Sequence, residues 1–153
     1  MELILWRHAE AVDSSPDMTR ELTAKGRLQA QKMAVFLQQH LPADTRILVS
    51  PATRTRQTVA AFTEKFTIVN SLAPNASAYT ILQAARWPQS ADPVLIVGHQ
   101  PTLGAVAALL LGSAESSLSI KKGALWWFSR RERDDAAQTT LRLVITPEML
   151  PSN

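Results

Sequence analysis

The chain has 153 residues, 46% of them hydrophobic, a mean hydropathy of -0.04 and no cysteine. This length and composition fit one domain over 1–153 able to bury a core, and argue against a disordered chain. They also exclude a disulfide scaffold, a thiolate nucleophile and any cysteine-based zinc or iron–sulfur site, while the formal charge of +3 comes from basic residues interleaved with acidic ones rather than a nucleic-acid-binding stripe.

In chain order, Leu3–Trp6 is an apolar run that stops at Arg7 and His8, as a buried strand would. Leu22 to His40 predicts one long helix, with Leu28, Val35, Phe36 and Leu37 among Gln, Lys and Ala, and Leu41-Pro42 ends it. Ile47-Leu48-Val49 is a second strand. Ser50-Pro51 after it gives an N-cap and a proline at the first helical position, for a helix from about Ala52 to Lys65. Phe66–Val69 is a candidate third strand, and Ser77–Trp87 a helix before Pro88.

Pro93–Val97 is another buried strand. Gly98-His99-Gln100-Pro101 turns into the apolar helix Thr102–Leu111, closed by Gly112. Ala124–Ser129 and Thr139–Ile145, rich in aromatic and β-branched residues, form two strands with Arg130–Gln138 as a solvated hairpin tip. Alternation puts Trp126 and Phe128 on one face and Trp127 on the other, which favours core packing over a base-stacking platform. No segment reaches the ~20 apolar residues of a membrane span, and Glu2 breaks the pattern of a signal peptide, so a cytoplasmic protein is expected.

Strands alternating with helices predict an α/β fold with a mainly parallel sheet, whose ligands sit beyond the carboxyl ends of the strands. Three loops leave strands there: Arg7-His8-Ala9, Ser50–Arg54 and Gly98-His99-Gln100. They carry two of the three histidines and two arginines. Arginine suits multidentate recognition of phosphate oxygens, and a neutral, oriented histidine can act as a nucleophile at phosphorus. No P-loop signature is present, so a nucleotide-triphosphate mechanism has no support.

Leu3-Ile4-Leu5-Trp6-Arg7-His8-Ala9-Glu10 resembles the Arg-His-Gly signature of the histidine phosphatase superfamily, with Ala9 in the glycine position. Arg20-Glu21-Leu22-Thr23-Ala24-Lys25-Gly26 is similar to its Arg-x-Leu-Thr-x-x-Gly element. Ser50-Pro51-Ala52-Thr53-Arg54-Thr55-Arg56-Gln57-Thr58 is similar to its Ser-Pro-x-x-Arg-x-x-Gln-Thr element, and Gly98-His99 to the second histidine motif. The short chain and Val-Gly-His-Gln-Pro point to the SixA-type phosphohistidine phosphatases.

That resemblance implies a three-layer, phosphoglycerate mutase-like sandwich with a C-terminal antiparallel hairpin. It makes His8 the nucleophile, with Arg7, Arg20, Arg54 and His99 binding phosphoryl oxygens; Arg7, Arg54 and His99 are catalytic with it. Removing Arg7, Arg20 and Arg54 from the charge count leaves basic and acidic residues balanced. Arg56 lies about 200° around the helix from Arg54, given ~3.6 residues per turn, and is read as a surface residue. His40 is read as a C-terminal capping residue of its helix rather than a catalytic one.

No metal or other cofactor is expected, because the arginines would repel a cation. Asn70–Ser77, where many relatives carry a carboxylic acid, contains no Asp or Glu, and no general acid is assigned; Glu10 is the nearest carboxylate in sequence to His8. Ala9 makes a positive φ there less favourable. The expected partner is a phosphohistidine-bearing protein, with no nucleic acid, no membrane and a monomeric enzyme. The alternatives are a small-molecule phosphomonoesterase of the same superfamily, a non-catalytic phosphate or phosphoprotein-binding module, and a mutase, for which the chain is short.

Overall fold

A computed structural model describes residues 1–152. Its strands are β1 (Glu2–Arg7), β2 (Arg46–Val49), β3 (Thr67–Ile68), β4 (Val94–Gly98), β5 (Leu125–Arg133) and β6 (Ala136–Ile145). They form one sheet in the order β3-β2-β4-β1-β5-β6. The first four run parallel, whereas β5 pairs antiparallel with β1 and β6 antiparallel with β5.

The helices α1 (Ala24–His40), α2 (Thr53–Ala60), α3 (Ala78–Ala85) and α4 (Thr102–Leu110) complete an α/β sandwich. Strand alternation sorts the core into two layers. Leu3, Leu5, Val94, Ile96 and Phe128 face Ile81, Leu103 and Val106, while Ile4, Trp6, Leu95, Val97 and Trp127 face Met33, Leu37 and Val59. Trp126 packs on the first layer with Phe128, so the aromatic triplet is divided between the faces as its alternation predicts, and the packing reading of those rings holds.

Several elements differ in extent. Thr23 caps α1, its hydroxyl accepting from the Gly26 N–H at 2.9 Å. Leu28 points to solvent, because it lies nine residues, or two and a half turns, from buried Leu37. Ser50 is not the N-cap of α2: Ala52 is, with no side-chain cap, since the Ser50 hydroxyl turns toward β4. The helix stops at Ala60 rather than Lys65, where Thr63 Oγ1 accepts from the Lys65 N–H and competes with helical bonding.

The solvated tip from Arg130 to Gln138 is instead a ladder extending to Arg133 and Ala136. Only Asp134 and Asp135, at φ 50 and 65, make the turn, both left-handed as a two-residue hairpin requires. This ribbon is solvated along most of its length, so its polar composition disguised strand as loop. Among the described residues no helix is long and apolar enough to cross a membrane.

Candidate active site

The carboxyl ends of β1, β2 and β4 meet because those strands are neighbours in register, Arg7 opposite Gly98 and Val49 opposite Val97. Three main-chain bonds fasten the junction: His8 N–H to Gly98 O (3.1 Å), Ser50 N–H to Val97 O (3.1 Å) and Gly123 N–H to His8 O (3.0 Å). His8, Ser50, Arg54 and His99 are thereby buried together beyond the sheet. Ala9 is fully buried and has no positive φ, as its side chain favours; its N–H donates to Thr58 Oγ1 at 3.0 Å.

His8 Nδ1 lies 2.7 Å from Ala9 O. A carbonyl only accepts, so the proton resides on Nδ1 and the Nε2 lone pair is free. Burial pushes the His8 pKa down to about 4, the Ala9 bond partly opposes this, and Arg54, Arg7 and Arg20 lower it further. The ring is therefore neutral at pH 7 and nucleophilic at Nε2.

The ring of His99 sits 5.4 Å from that of His8, centroid to centroid. Its Nε2 is 2.7 Å from Ser50 Oγ, which also accepts from the Ala52 N–H at 3.3 Å. His99 Nδ1 is buried without a protein partner, and a Ser50 hydroxyl that donates to Nε2 leaves the ring proton on that Nδ1. Burial, then Arg54, lowers the His99 pKa to about 3.

Arg7 is half-buried and reaches Ile120 O through Nη1 at 2.8 Å. Burial and the charge of Arg54 lower its pKa from the usual value. The Nε atoms of Arg7 and Arg54 are buried without partners, as is His99 Nδ1. Such clustering of unpaired donors is costly until an anion satisfies them.

The structure thus assembles Arg7, His8, Arg54 and His99, with Arg20 at the mouth, its Nε donating to Val12 O at 2.7 Å. Arg56 is exposed, and its guanidinium donates to Thr53 Oγ1 at 3.5 Å. His40 is the last residue of α1 but not its cap: Leu41 is, its N–H donating to Leu37 O, and the His40 ring lies 4.4 Å from that of Phe36.

Two participants escaped sequence reasoning. Ser50 carried a signal, its place at the end of an apolar strand, but was assigned to capping. Asp17, in the 3₁₀ turn Asp17–Thr19, grips two of the arginines: Oδ2 lies 3.2 Å from Arg54 Nη2 and Oδ1 3.3 Å from Arg20 Nη1, while its carbonyl accepts from Arg54 Nη1 at 2.8 Å. The available signal was an acid three residues before Arg20, a spacing at which side chains on a helical turn meet. Burial alone would raise the Asp17 carboxyl, but Arg54 and Arg20 outweigh it and hold it below its usual value.

A groove of about 600 Å³ flanks Arg7 and is lined by Lys25, Lys121 and Lys122, with Glu10 and Glu148. Glu10 is engaged elsewhere, its Oε2 accepting from the Thr23 hydroxyl at 2.8 Å.

Residues 3–75 match the family model of the histidine phosphatase superfamily (branch 1). An uncharacterized protein of Picosynechococcus sp. is 35% identical over 136 residues, 82% of each chain. The phosphohistidine phosphatase SixA homolog of Haemophilus influenzae is 31% identical over 128 residues, 73% of this chain and 78% of that one. The crystal structure of the putative phosphohistidine phosphatase SixA from Agrobacterium tumefaciens is 26% identical, covers 95% of this chain and 97% of its own, and superposes with a TM-score of 0.77.

Proposed function

The chain belongs to the histidine phosphatase superfamily, in its SixA-type branch, and we propose that it is a metal-independent phosphatase acting on phosphohistidine in a protein through a phospho-His8 intermediate. The observation that carries this reading is the neutral His8 ring, fixed by its Nδ1 bond to Ala9 O among guanidinium groups. Its Nε2 attacks phosphorus in line as the substrate's P–N bond breaks. Arg7, Arg54 and His99 hold the equatorial oxygens where charge accumulates, and Arg20 binds at the mouth.

The leaving imidazole keeps the electron pair of the broken bond. When its distal nitrogen is already protonated it departs neutral, and the enzyme supplies no proton. An alkyl phosphate would have to expel a far more basic alkoxide. Water then attacks phospho-His8, the Nε2–P bond returns its pair to the ring, and orthophosphate and a proton are released. The reading agrees with a pocket whose described carboxylate, Asp17, is held ionised and so is a poor acid. The guanidinium groups disfavour a divalent cation at the same place.

The test is alkali-quenched labelling, because a phosphorus–nitrogen bond to imidazole survives base and is lost in acid. Incubation with a phosphohistidine peptide should leave acid-labile phosphate on the protein, His8→Ala should abolish both labelling and turnover, and a chelator should change neither. Turnover by His8→Ala, loss of activity to the chelator, or specificity constants tens-fold higher for a sugar phosphate would overturn the corresponding part of the proposal.

A further inference from the structure

Asp17 places a negative charge at the entrance of a pocket that binds an anion. Its side chain is 54% exposed, whereas that of Arg54 beneath it is 5% exposed and that of Arg20 beside it 25%. The carboxylate therefore stands on the solvent side of Arg54, 3.2 Å from Arg54 Nη2 and 3.3 Å from Arg20 Nη1. Its charge is felt inside as well, raising the His99 pKa against the burial and arginine effects that lower it.

We propose that Asp17 determines leaving-group specificity: it repels phosphates bearing a second negative charge close to the phosphoryl group and favours a leaving group that carries a proton. This rests on the phosphohistidine reading and sharpens it. An N-phosphorylated imidazole protonated at its distal nitrogen is locally cationic, and that form leaves as neutral imidazole. A carboxylate at the mouth stabilises it in the ground state and during departure. A phosphorylated hydroxy acid instead brings its own carboxylate against Asp17. Two unit charges ~4 Å apart in bulk water are penalised by a factor of about five, and more where the pocket excludes water.

The main-chain carbonyl of Asp17 also holds Arg54, and an asparagine keeps that carbonyl and an accepting side-chain oxygen. Asp17→Asn therefore removes the charge while leaving Arg54 held. The matched substrates are glycerol 3-phosphate and 3-phosphoglycerate, both primary alkyl phosphates, which differ in the second one's carboxylate; a phosphohistidine peptide is the third.

In Asp17→Asn the kcat/KM ratio of 3-phosphoglycerate to glycerol 3-phosphate should rise about fivefold or more. The ratio of the peptide to glycerol 3-phosphate should fall by a similar factor, and both changes should shrink in high salt. Asp17→Glu, which keeps the charge, should retain the wild-type ranking. Equal loss on all three substrates would reduce Asp17 to a support for Arg54 and overturn the inference, as would unchanged ratios or a Glu variant that behaves like Asn. If the wild-type protein turns over glycerol 3-phosphate faster than the peptide, the phosphohistidine assignment fails, while the response of the matched pair still decides the role of Asp17.

Discussion

Replacing Arg54 or Arg56 by alanine removes the same side chain from positions two residues apart on α2, yet the consequences should differ by about two orders of magnitude. Arg54 is buried with an unpaired Nε in the pocket, and the other end of its guanidinium is fixed by Asp17 O and Oδ2. Losing one preorganised donor to a developing oxyanion costs on the order of 3 kcal/mol, ~100-fold in kcat. Arg56 is exposed with one long contact, and its removal should stay within about twofold. The ion pair with half-exposed Asp17 adds little stability, under about 1 kcal/mol, so Arg54→Ala should remain folded. A second readout is independent of the donor. Arg54 depresses the pKa of both His8 and His99, so its removal must raise both and move the acidic limb of the pH–rate profile upward. Steady-state kinetics on a chromogenic phosphate ester from pH 4 to 8, with thermal melts as control, test both. Equal small effects of the two substitutions, or an unmoved acidic limb, would refute the assignment.

Ser50→Ala leaves His99 Nε2 without its hydroxyl partner and frees the ring to protonate the other nitrogen; kcat should fall about tenfold or more with little change in fold, measured by turnover and circular dichroism. His8 and His99 have folded pKa values near 4 and 3, below the ordinary 6.5, so the unfolded chain binds more protons between those limits. Their contribution is fully present above pH 6.5 and is lost as pH falls toward 4 and below. The melting temperature should drop over that interval, and His8→Gln should flatten part of the drop. Gly26→Ala would place a Cβ 2.0 Å from Glu10 O in the backbone just after His8 and Ala9. It should lower the melting temperature and turnover together, whereas a silent substitution would contradict the packing of α1 on that loop. Lys121→Glu with Lys122→Glu reverses charge along the groove beside Arg7; kcat/KM on an acidic phosphohistidine peptide should fall several-fold in low salt, with little change on a chromogenic ester.

Local pattern made much of this protein legible. The apolar runs at Leu3–Trp6, Ile47–Val49 and Pro93–Val97 end at Arg7, at Ser50-Pro51 and at Gly98, and a buried strand cannot carry Arg7 or His99 onward into the core. His8, Arg54 and His99 could therefore be placed beyond the strand ends; the half-turn between Arg54 and Arg56 meant that only one of them could face the pocket, and the resemblance of the Ser50–Thr58 element assigned that place to Arg54. These inferences depend on periods of two and 3.6 residues, which are written within a few positions of the chain.

The rest depends on the path of the whole chain. Ser50 meets His99 because β2 lies beside β4, an adjacency that neither strand's composition specifies. Asp17 reaches Arg54 across 37 positions of sequence, and a charge does not encode its partner by spacing when the intervening chain folds back. The ladder from Arg130 to Ala136 reads as loop because strand pairing satisfies backbone groups whatever the side chains are, so a ribbon in solvent needs no apolar alternation to form.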